Sequence, residues 1–226
     1  MATLTQADLT LKGVLATEIS EGHALLMSSL YLSGLLKDAS GPEVICVLSC
    51  MLEGKDGGKE EGTLDVRQVF GATEAVVAAY GFLQAEARRG MEVEAWHGVP
   101  SPTKFWELQT MWMDVAARWT GGQSVPEICA EFDIFEGNLL RGLMKMNTLL
   151  TEWMTLASFC EVRRRGSGRA RARVQSCTRL DSPSFPLLFF VPHLRAPQHP
   201  EVLDKLRDAP QCLLRDIAVT ESLYVS

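Results

Sequence analysis

The sequence predicts an all-α fold, a bundle of helices around one core, and three observations lead to it. Apolar residues recur at helical spacing in several long segments. Pairs of a serine and a glutamate three residues apart mark helix starts, and glycines mark helix ends. No segment has the strict alternation of a half-buried strand, apart from a short extended piece predicted over residues 9–14.

The first two helices are predicted near the N-terminal end. One spans residues 20–36, where leucines recur at mostly helical spacing and Ser20 can cap the first turn. The other spans residues 42–52 and starts with a proline, which the first turn tolerates because its missing N–H is not needed there. Residues 54–62, rich in Gly, Lys and Glu, are predicted to form a solvated linker.

Glycines and prolines delimit three further helices. A long helix is predicted over residues 64–89, where Gly90 follows directly. Another begins at Pro102 and ends at Gly121. The last helix of the chain is predicted to open with Ala209 and Pro210. These signals predict the order of the helices more accurately than their first and last residues, because proline and glycine affect only the adjacent turn.

Two capping boxes identify the helices between these. Ser124 with Glu127 has the serine–glutamate spacing in which each side chain bonds the backbone N–H of the other residue. It therefore predicts the start of a short helix. Asp133 with Glu136 repeats the spacing, and we expect a long helix from there to about Phe159.

Composition and charge narrow the classes of function. The 226-residue chain has a net charge of −6, but residues 162–198 alone hold eight arginines and one acid, which leaves −13 for the rest. An acidic body is not typical of a free-standing nucleic-acid binder, because phosphate contacts need local Lys and Arg. No stretch reaches the roughly 18 apolar residues of a membrane helix, so no membrane partner is expected. Cys46 and Cys50 are expected to be buried thiols, and no metal site is predicted.

Four segments have a distinctive sequence and occur in a fixed order. Residues 124–141 contain the Phe-Glu-Gly of 135–137, and residues 214–225 form the C-terminal tail. Residues 11–20 and 35–52 are the other two. Together they resemble DSHCT, the C-terminal helical domain of exosome-associated DExH-box RNA helicases of the superkiller and mRNA-transport type. The Phe-Glu-Gly form is closer to the nuclear branch of that family.

The resemblance implies a role for the long helix after Phe-Glu-Gly. In the family this helix lies across the RNA exit path below two RecA domains and acts as a ratchet. By position, Arg141, Lys145 and Thr148 are the RNA-binding residues that carry over. Their spacings of four and three put them on one helix face. The family usually has Arg where this chain has Lys145, and Glu where it has Thr148, so a weaker or altered grip on RNA is expected.

Structural interpretations compete with these roles. Phe135 is expected to anchor a neighbouring helix, and Gly137 to allow close packing. Glu136 is read as a capping residue, and Arg141 could instead pair with an acidic neighbour. The tryptophans are read as core or domain-interface anchors, with stacking on RNA bases as the alternative, and the histidines are given no role. The tryptophans are Trp96, Trp106, Trp112, Trp119 and Trp153.

Residues 162–198 are predicted to be an insertion of low order in the helical domain. The resulting division is an extended leading segment (1–19), the helical domain (20–161 and 199–226) and the insertion. The insertion begins with an Arg-rich stretch and later contains a run of Phe, Leu, Ser and Pro. Its first residue is Val162 and its last is Gln198. These features fit a retained intron translated in frame. The alternative is a basic arm that binds RNA phosphates. A loop this long without helical periodicity predicts poor order in either case.

The resemblance implies an RNA-guiding domain of an ATP-dependent RNA helicase in exosome-linked RNA processing and decay, including rRNA processing, present here without its ATPase core. No catalytic residue, cofactor or metal is predicted in the chain, whereas the full-length hydrolases use ATP and Mg²⁺. Expected partners are single-stranded RNA, the RecA domains of a helicase core and nuclear exosome cofactors. The expected location is nuclear, with the cytoplasm as the alternative. The rival hypothesis is a stand-alone helical protein–protein interaction module with no RNA role.

Overall fold

The computed structural model describes residues 10–52, 65–98, 105–166 and 200–214. Within these ranges every long regular element is an α-helix, with one short 3-10 turn at Val66–Gln68, so the predicted all-α class is confirmed. The helices are α1 (Leu11–Ala16), α2 (Ala24–Ser33), α3 (Gly41–Ser49), α4 (Glu74–Trp96), α5 (Thr110–Thr120), α6 (Val125–Phe132), α7 (Glu136–Gly166), α8 (Pro200–Lys205) and α9 (Ala209–Leu214).

The short helix α3 lies at the centre of the bundle. It packs against α4, α5, α7 and α9, while α2 packs against α1, α4 and α7. Val44, Ile45, Val47 and Leu48 of α3 are almost completely removed from solvent. Because a buried helical segment needs apolar residues on all sides, α3 lacks the polar face of a surface helix from Val44 onward. Cys46 in α3 and Cys50 directly after it are buried free thiols, as predicted.

The N-terminal part differs from the prediction of an extended segment. Residues Leu11–Ala16 form α1, so the extended conformation predicted for residues 9–14 and 1–19 is wrong where the structure describes it. Thr10 caps this helix by accepting a hydrogen bond from the Gly13 N–H at 3.2 Å. A threonine in extended conformation before a helical turn is an ordinary N-cap, so the local sequence is compatible with this helix.

Helix starts were predicted too early where the cap was misidentified. α2 begins at Ala24 and not at Ser20, because His23 accepts the Leu26 N–H on its Nδ1 at 3.3 Å. α4 begins at Glu74, well after the predicted residue 64, since Gly71 has a φ of 62° and Thr73 caps the first turn. A left-handed residue interrupts a right-handed helix, so no helix can extend through position 71.

Two segments depart from the predicted helix ends because of contacts distant in sequence. α4 continues through Gly90 to Trp96, and a Cβ at Gly90 would overlap the Trp106 ring that lies against it. Residues 105–109 are not helical, and α5 begins at Thr110. The Gln109 N–H donates to the Cys50 carbonyl at 2.8 Å, which ties this segment to the end of α3.

The long helix α7 also crosses a predicted boundary. It reaches Gly166, so the first five residues of the predicted insertion, 162–166, are helical and continuous with the bundle. Residues 167–198 of the insertion and the predicted linker at 54–62 lie outside the described residues. The last helix among the described residues begins at Ala209, as predicted.

Candidate nucleic-acid interface

The corner between α6 and α7 sets the direction of the long helix. The predicted capping box at its first helix is confirmed: the Ser124 N–H donates to the Glu127 carboxylate at 2.9 Å. The second predicted box is wrong. Asp133 ends α6 in the left-handed conformation, with φ of 49°, and Glu136 is the first residue of α7, where a box would place it third. Its negative charge is still favourable there, next to the positive end of the helix dipole.

One face of α7 packs against the bundle and is called the inner face here. Trp112 of α5 lies directly on Gly142, where a Cβ would overlap its ring. Gly142 therefore permits the close approach of α5 to α7, a role that was predicted for Gly137. The buried apolar residues of the inner face are Leu139, Leu143, Met146, Leu149, Leu150, Trp153, Leu156, Ala157 and Cys160.

The opposite side, the outer face, carries the residues predicted to bind RNA. Arg141 and Lys145 are exposed, and Thr148 is half-buried with its hydroxyl donating to the Met144 carbonyl at 3.2 Å. The structure thus brings all three to one side of α7, as their spacing predicts. Arg141 forms no ion pair with any residue that the structure describes, so the interpretation of Arg141 as a structural ion-pair partner gains no support.

The charge along this face is of one sign. From Gly137 to Thr151 the helix has two cations, Arg141 and Lys145, and no acidic residue. A locally positive surface on a chain with a net charge of −6 is a place where a polyanion can approach despite the overall charge. The next acid along the helix is Glu152, and the structure removes it from the surface.

Glu152 belongs by spacing to the row of Arg141, Lys145 and Thr148, yet it is buried. Its carboxylate accepts hydrogen bonds from four donors in the loop between α1 and α2. Oε1 accepts the Ser20 N–H at 2.8 Å, the Ser20 hydroxyl at 2.7 Å and the Glu21 N–H at 2.8 Å, and Oε2 accepts the Gly22 N–H at 3.0 Å. The loop therefore binds the carboxylate of Glu152, which is the only acid in this row, and keeps it off the outer face.

The electrostatics of Glu152 follow from this cradle. Burial raises the pKa of the carboxyl, but hydrogen bonds from Glu21, Ser20 and Gly22 stabilise the charged form, and the net pKa is below its usual value. A Cβ at Gly22 would overlap Met27 of α2 and lie 2.9 Å from the Leu149 side chain of α7, so glycine allows the loop to lie close to both helices. Sequence reasoning missed Glu152 and Ser20 because the two are 132 positions apart. The only local signal was one acid within an apolar run.

Other predicted anchors are placed differently from the expectation. Phe135 is 78% exposed and Gly137 has open space where a Cβ would be, so the structural roles predicted for both are wrong. Four tryptophans are buried as predicted: Trp106, Trp112, Trp119 and Trp153. Trp96 at the end of α4 is 87% exposed and is not a core residue.

Histidine and cysteine chemistry adds no reactive centre to the part of the chain that the structure describes. His23, which was given no role, caps α2 and stacks on Phe105 and Trp106, with ring centroids 4.2 and 4.5 Å away. Burial lowers its pKa to about 4. The described residues contain no cluster of three or more groups that could hold a metal ion. None of their helices is both long and apolar enough to cross a membrane.

A known protein family matches most of this chain. Residues 6–166 match the family described as the DSHCT (NUC185) domain. This chain belongs to the DSHCT family. The match includes α1 to α7 and extends into residues 162–166, which agrees with the continuous helix there. The family resemblance is therefore confirmed, and three of its four segments lie within the match, whereas the tail at 214–225 lies outside it.

Relatives of this DSHCT chain are much longer proteins. It is 27% identical over 144 residues to the exosome RNA helicase MTR4 of Homo sapiens, a match over 63% of this chain and 13% of the relative. It is 26% identical over 148 residues to the ATP-dependent RNA helicase mtr4 of Schizosaccharomyces pombe, over 65% and 12% of the two chains. The DExH-box ATP-dependent RNA helicase DExH9 of Arabidopsis thaliana is 26% identical over 150 residues, over 65% and 14%. The match spans about an eighth of these relatives.

Proposed function

We propose that the outer face of α7 guides single-stranded RNA as part of an ATP-dependent RNA helicase that acts in exosome-linked RNA processing and decay. One observation carries the proposal. Arg141 and Lys145 are exposed on the same side of α7, and no acid interrupts this side from Gly137 to Thr151. The membership in the DSHCT family and the names of the relatives, all RNA helicases, support it.

The chemistry of the two cations suits a sliding strand. A fixed cation attracts the phosphate that every nucleotide carries, so contact does not depend on base sequence. Lys145 provides a point charge with rotatable donors, whereas an arginine would add a planar fork that also stacks on bases. The grip at this position is therefore weaker than a guanidinium would provide, and Thr148 adds no charge.

The other parts of the proposal concern the whole helicase. Because this chain spans about an eighth of its relatives, the ATP and Mg²⁺ of phosphoryl transfer are assigned to RecA domains outside it. The chain itself is proposed to have no catalytic activity. Nuclear exosome cofactors, rRNA processing and a nuclear location are proposed from the relatives called exosome RNA helicases.

Binding of single-stranded RNA to the purified chain tests the proposal. Arg141→Ala and Lys145→Ala should each weaken binding, and each should lower the salt dependence of the logarithm of affinity by about 0.7. Lys145→Arg should bind at least as tightly as the wild type. Lys37→Ala, on the exposed turn before α3, is the matched control and should change little. An equal loss in Lys37→Ala would mean that binding follows net charge and not the outer face.

A second candidate function is a protein–protein interaction module with no RNA role. It is favoured by the exposed end of α4, where Met91, Val93 and Trp96 are apolar and solvent-facing. Exposed aromatic and apolar side chains grouped on one helix end are typical of docking surfaces. If Trp96→Ala abolished association with helicase RecA domains while the chain bound no RNA, this candidate would replace the first.

A further inference from the structure

The chemistry of the outer face changes after Lys145. Thr148, Thr151 and Thr155 continue along the same side of α7, and none of them is charged. Each hydroxyl donates to the backbone carbonyl four residues earlier, with O–O distances of 3.2, 2.8 and 2.9 Å to Met144, Asn147 and Thr151. The three hydroxyl protons are therefore directed into the helix.

This arrangement determines what the threonines can bind. A hydroxyl whose proton is committed to the backbone still has oxygen lone pairs that can accept a hydrogen bond. It offers an acceptor and a methyl group to the solvent, and no donor. Phosphate oxygens need donors, so this part of the helix is unsuited to them. A ligand group held here must itself donate a hydrogen bond.

Asn147, which lies one turn before Thr151, does not extend this set of acceptors. Its side-chain oxygen is buried, and no donor within the described part of the chain reaches it. Because that oxygen has no exposed surface, a strand on the outer face cannot contact it. Thr148, Thr151 and Thr155 are together called the acceptor row.

We infer that the acceptor row recognises the ribose 2′-hydroxyl groups of RNA and thereby selects RNA over DNA. This inference rests on the proposed function, which brings a single strand to the outer face. The 2′-hydroxyl is the donor that distinguishes RNA from DNA on an otherwise common backbone. The row offers acceptors about 4.5 and 6 Å apart along the helix, so successive riboses of an extended strand can reach successive side chains.

The two ends of the outer face then have separate tasks. Arg141 and Lys145 attract phosphates of any nucleic acid. The acceptor row, one to three turns further along, tests the sugar. The loop that buries Glu152 keeps its carboxylate from direct contact with a strand on the outer face.

Three oligonucleotides of equal length and with the same base test the inference on the full chain: oligouridine, oligodeoxyuridine and 2′-O-methyl oligouridine. The methylated probe keeps the ribose and removes its donor. The wild type should prefer oligouridine to both others by on the order of tenfold, which corresponds to about two ordinary hydrogen bonds. The triple variant Thr148→Val, Thr151→Val, Thr155→Val keeps the shape and removes the oxygens, and it should bind the three probes nearly equally.

A matched variant and a charge variant make each outcome decisive. Thr148→Ser, Thr151→Ser, Thr155→Ser keeps the hydroxyls and should keep the preference, while equal melting curves show that all variants are folded. Arg141→Ala with Lys145→Ala should weaken all three probes alike. If that loss occurs but the wild type shows no preference, or the valine variant retains it, the acceptor-row inference is overturned and the proposed function stands. If the charge variant loses nothing, both are overturned.

Discussion

The inner and outer faces of α7 differ in how tightly their side chains are packed. On the inner face, Gly142 fits the ring of Trp112 so closely that one methyl group would not be accommodated. On the outer face, the side chains of Arg141 and Lys145 are exposed, so packing constrains these two positions less. Substitutions on the inner face should therefore change the free energy of unfolding, and substitutions on the outer face should change binding.

Gly142→Ala should produce the largest effect on the inner face. The added methyl group must displace the Trp112 ring or separate α5 from α7, and overpacking of this kind costs about 2–3 kcal/mol of unfolding free energy. Urea unfolding followed by tryptophan fluorescence measures the loss. Gly137→Ala is the control on the same helix, because nothing lies within 4 Å of its added methyl group.

The control should be no less stable than the wild type and could gain about 0.5 kcal/mol, since alanine favours helix over glycine. An equal loss in Gly137→Ala and Gly142→Ala would show that the two faces do not differ in packing, which contradicts the comparison.

Glu152→Gln sharpens the comparison, because Glu152 shares the row of Arg141 by spacing and the inner face by burial. The NH2 group of the glutamine would face an N–H or O–H donor of the Ser20–Gly22 loop. The substitution also removes the negative charge that four hydrogen bonds stabilise. We expect a loss of about 2 kcal/mol, measured by urea unfolding at neutral pH. Glu92→Gln, on the exposed end of α4, should stay within about 0.5 kcal/mol.

The same pair of proteins predicts a pH dependence. The pKa of Glu152 is lowered in the folded state, so its stabilising effect is present above the unfolded value of 4.5 and is lost as the pH falls through the lower folded value. The stability difference between wild type and Glu152→Gln should therefore shrink below about pH 4.5. A difference that stays constant down to the acid transition would show that charge has no part in the cradle.

His23 should give a second pH dependence, at higher pH than that of Glu152. Its pKa is lowered to about 4 because burial disfavours the charged ring, whereas the unfolded value is 6.5. The unfolded chain therefore takes up a proton first, and stability should decline as the pH falls from about 6.5 towards 4. In His23→Asn, which keeps a capping side chain, the decline over this range should be smaller. Thermal melting at several pH values checks this, and identical profiles would rule out His23 as the cause.

Features set by adjacent residues could be predicted from the sequence. The capping box of Ser124 and Glu127, the end of α5 at Gly121 and the all-α class all rest on signals within one or two turns. The placement of Arg141, Lys145 and Thr148 on one face follows from helix period alone. The role of these residues in RNA binding remains a prediction.

Features set by distant partners could not be predicted. Ser20 is a residue type that often caps helices, but its hydroxyl donates a hydrogen bond to Glu152. The first turn of α2 is capped by His23 instead. Gly137 and Gly142 look alike in sequence, and only the position of Trp112 tells them apart. Trp96 is aromatic like the buried tryptophans, yet α4 extends beyond the bundle and leaves it exposed. In each case the deciding contact, or its absence, lies on another element.

The central claim is that the outer face of α7 is where single-stranded RNA lies, and photo-cross-linking tests it most directly. An oligoribonucleotide with 4-thiouridine would be cross-linked to the full chain, and the attached peptides mapped by mass spectrometry. We predict cross-links on α7 between Gly137 and Thr155, and their loss in the Arg141→Ala, Lys145→Ala double variant. Cross-links confined to the arginines of 163–173, or to the exposed end of α4, would contradict the account.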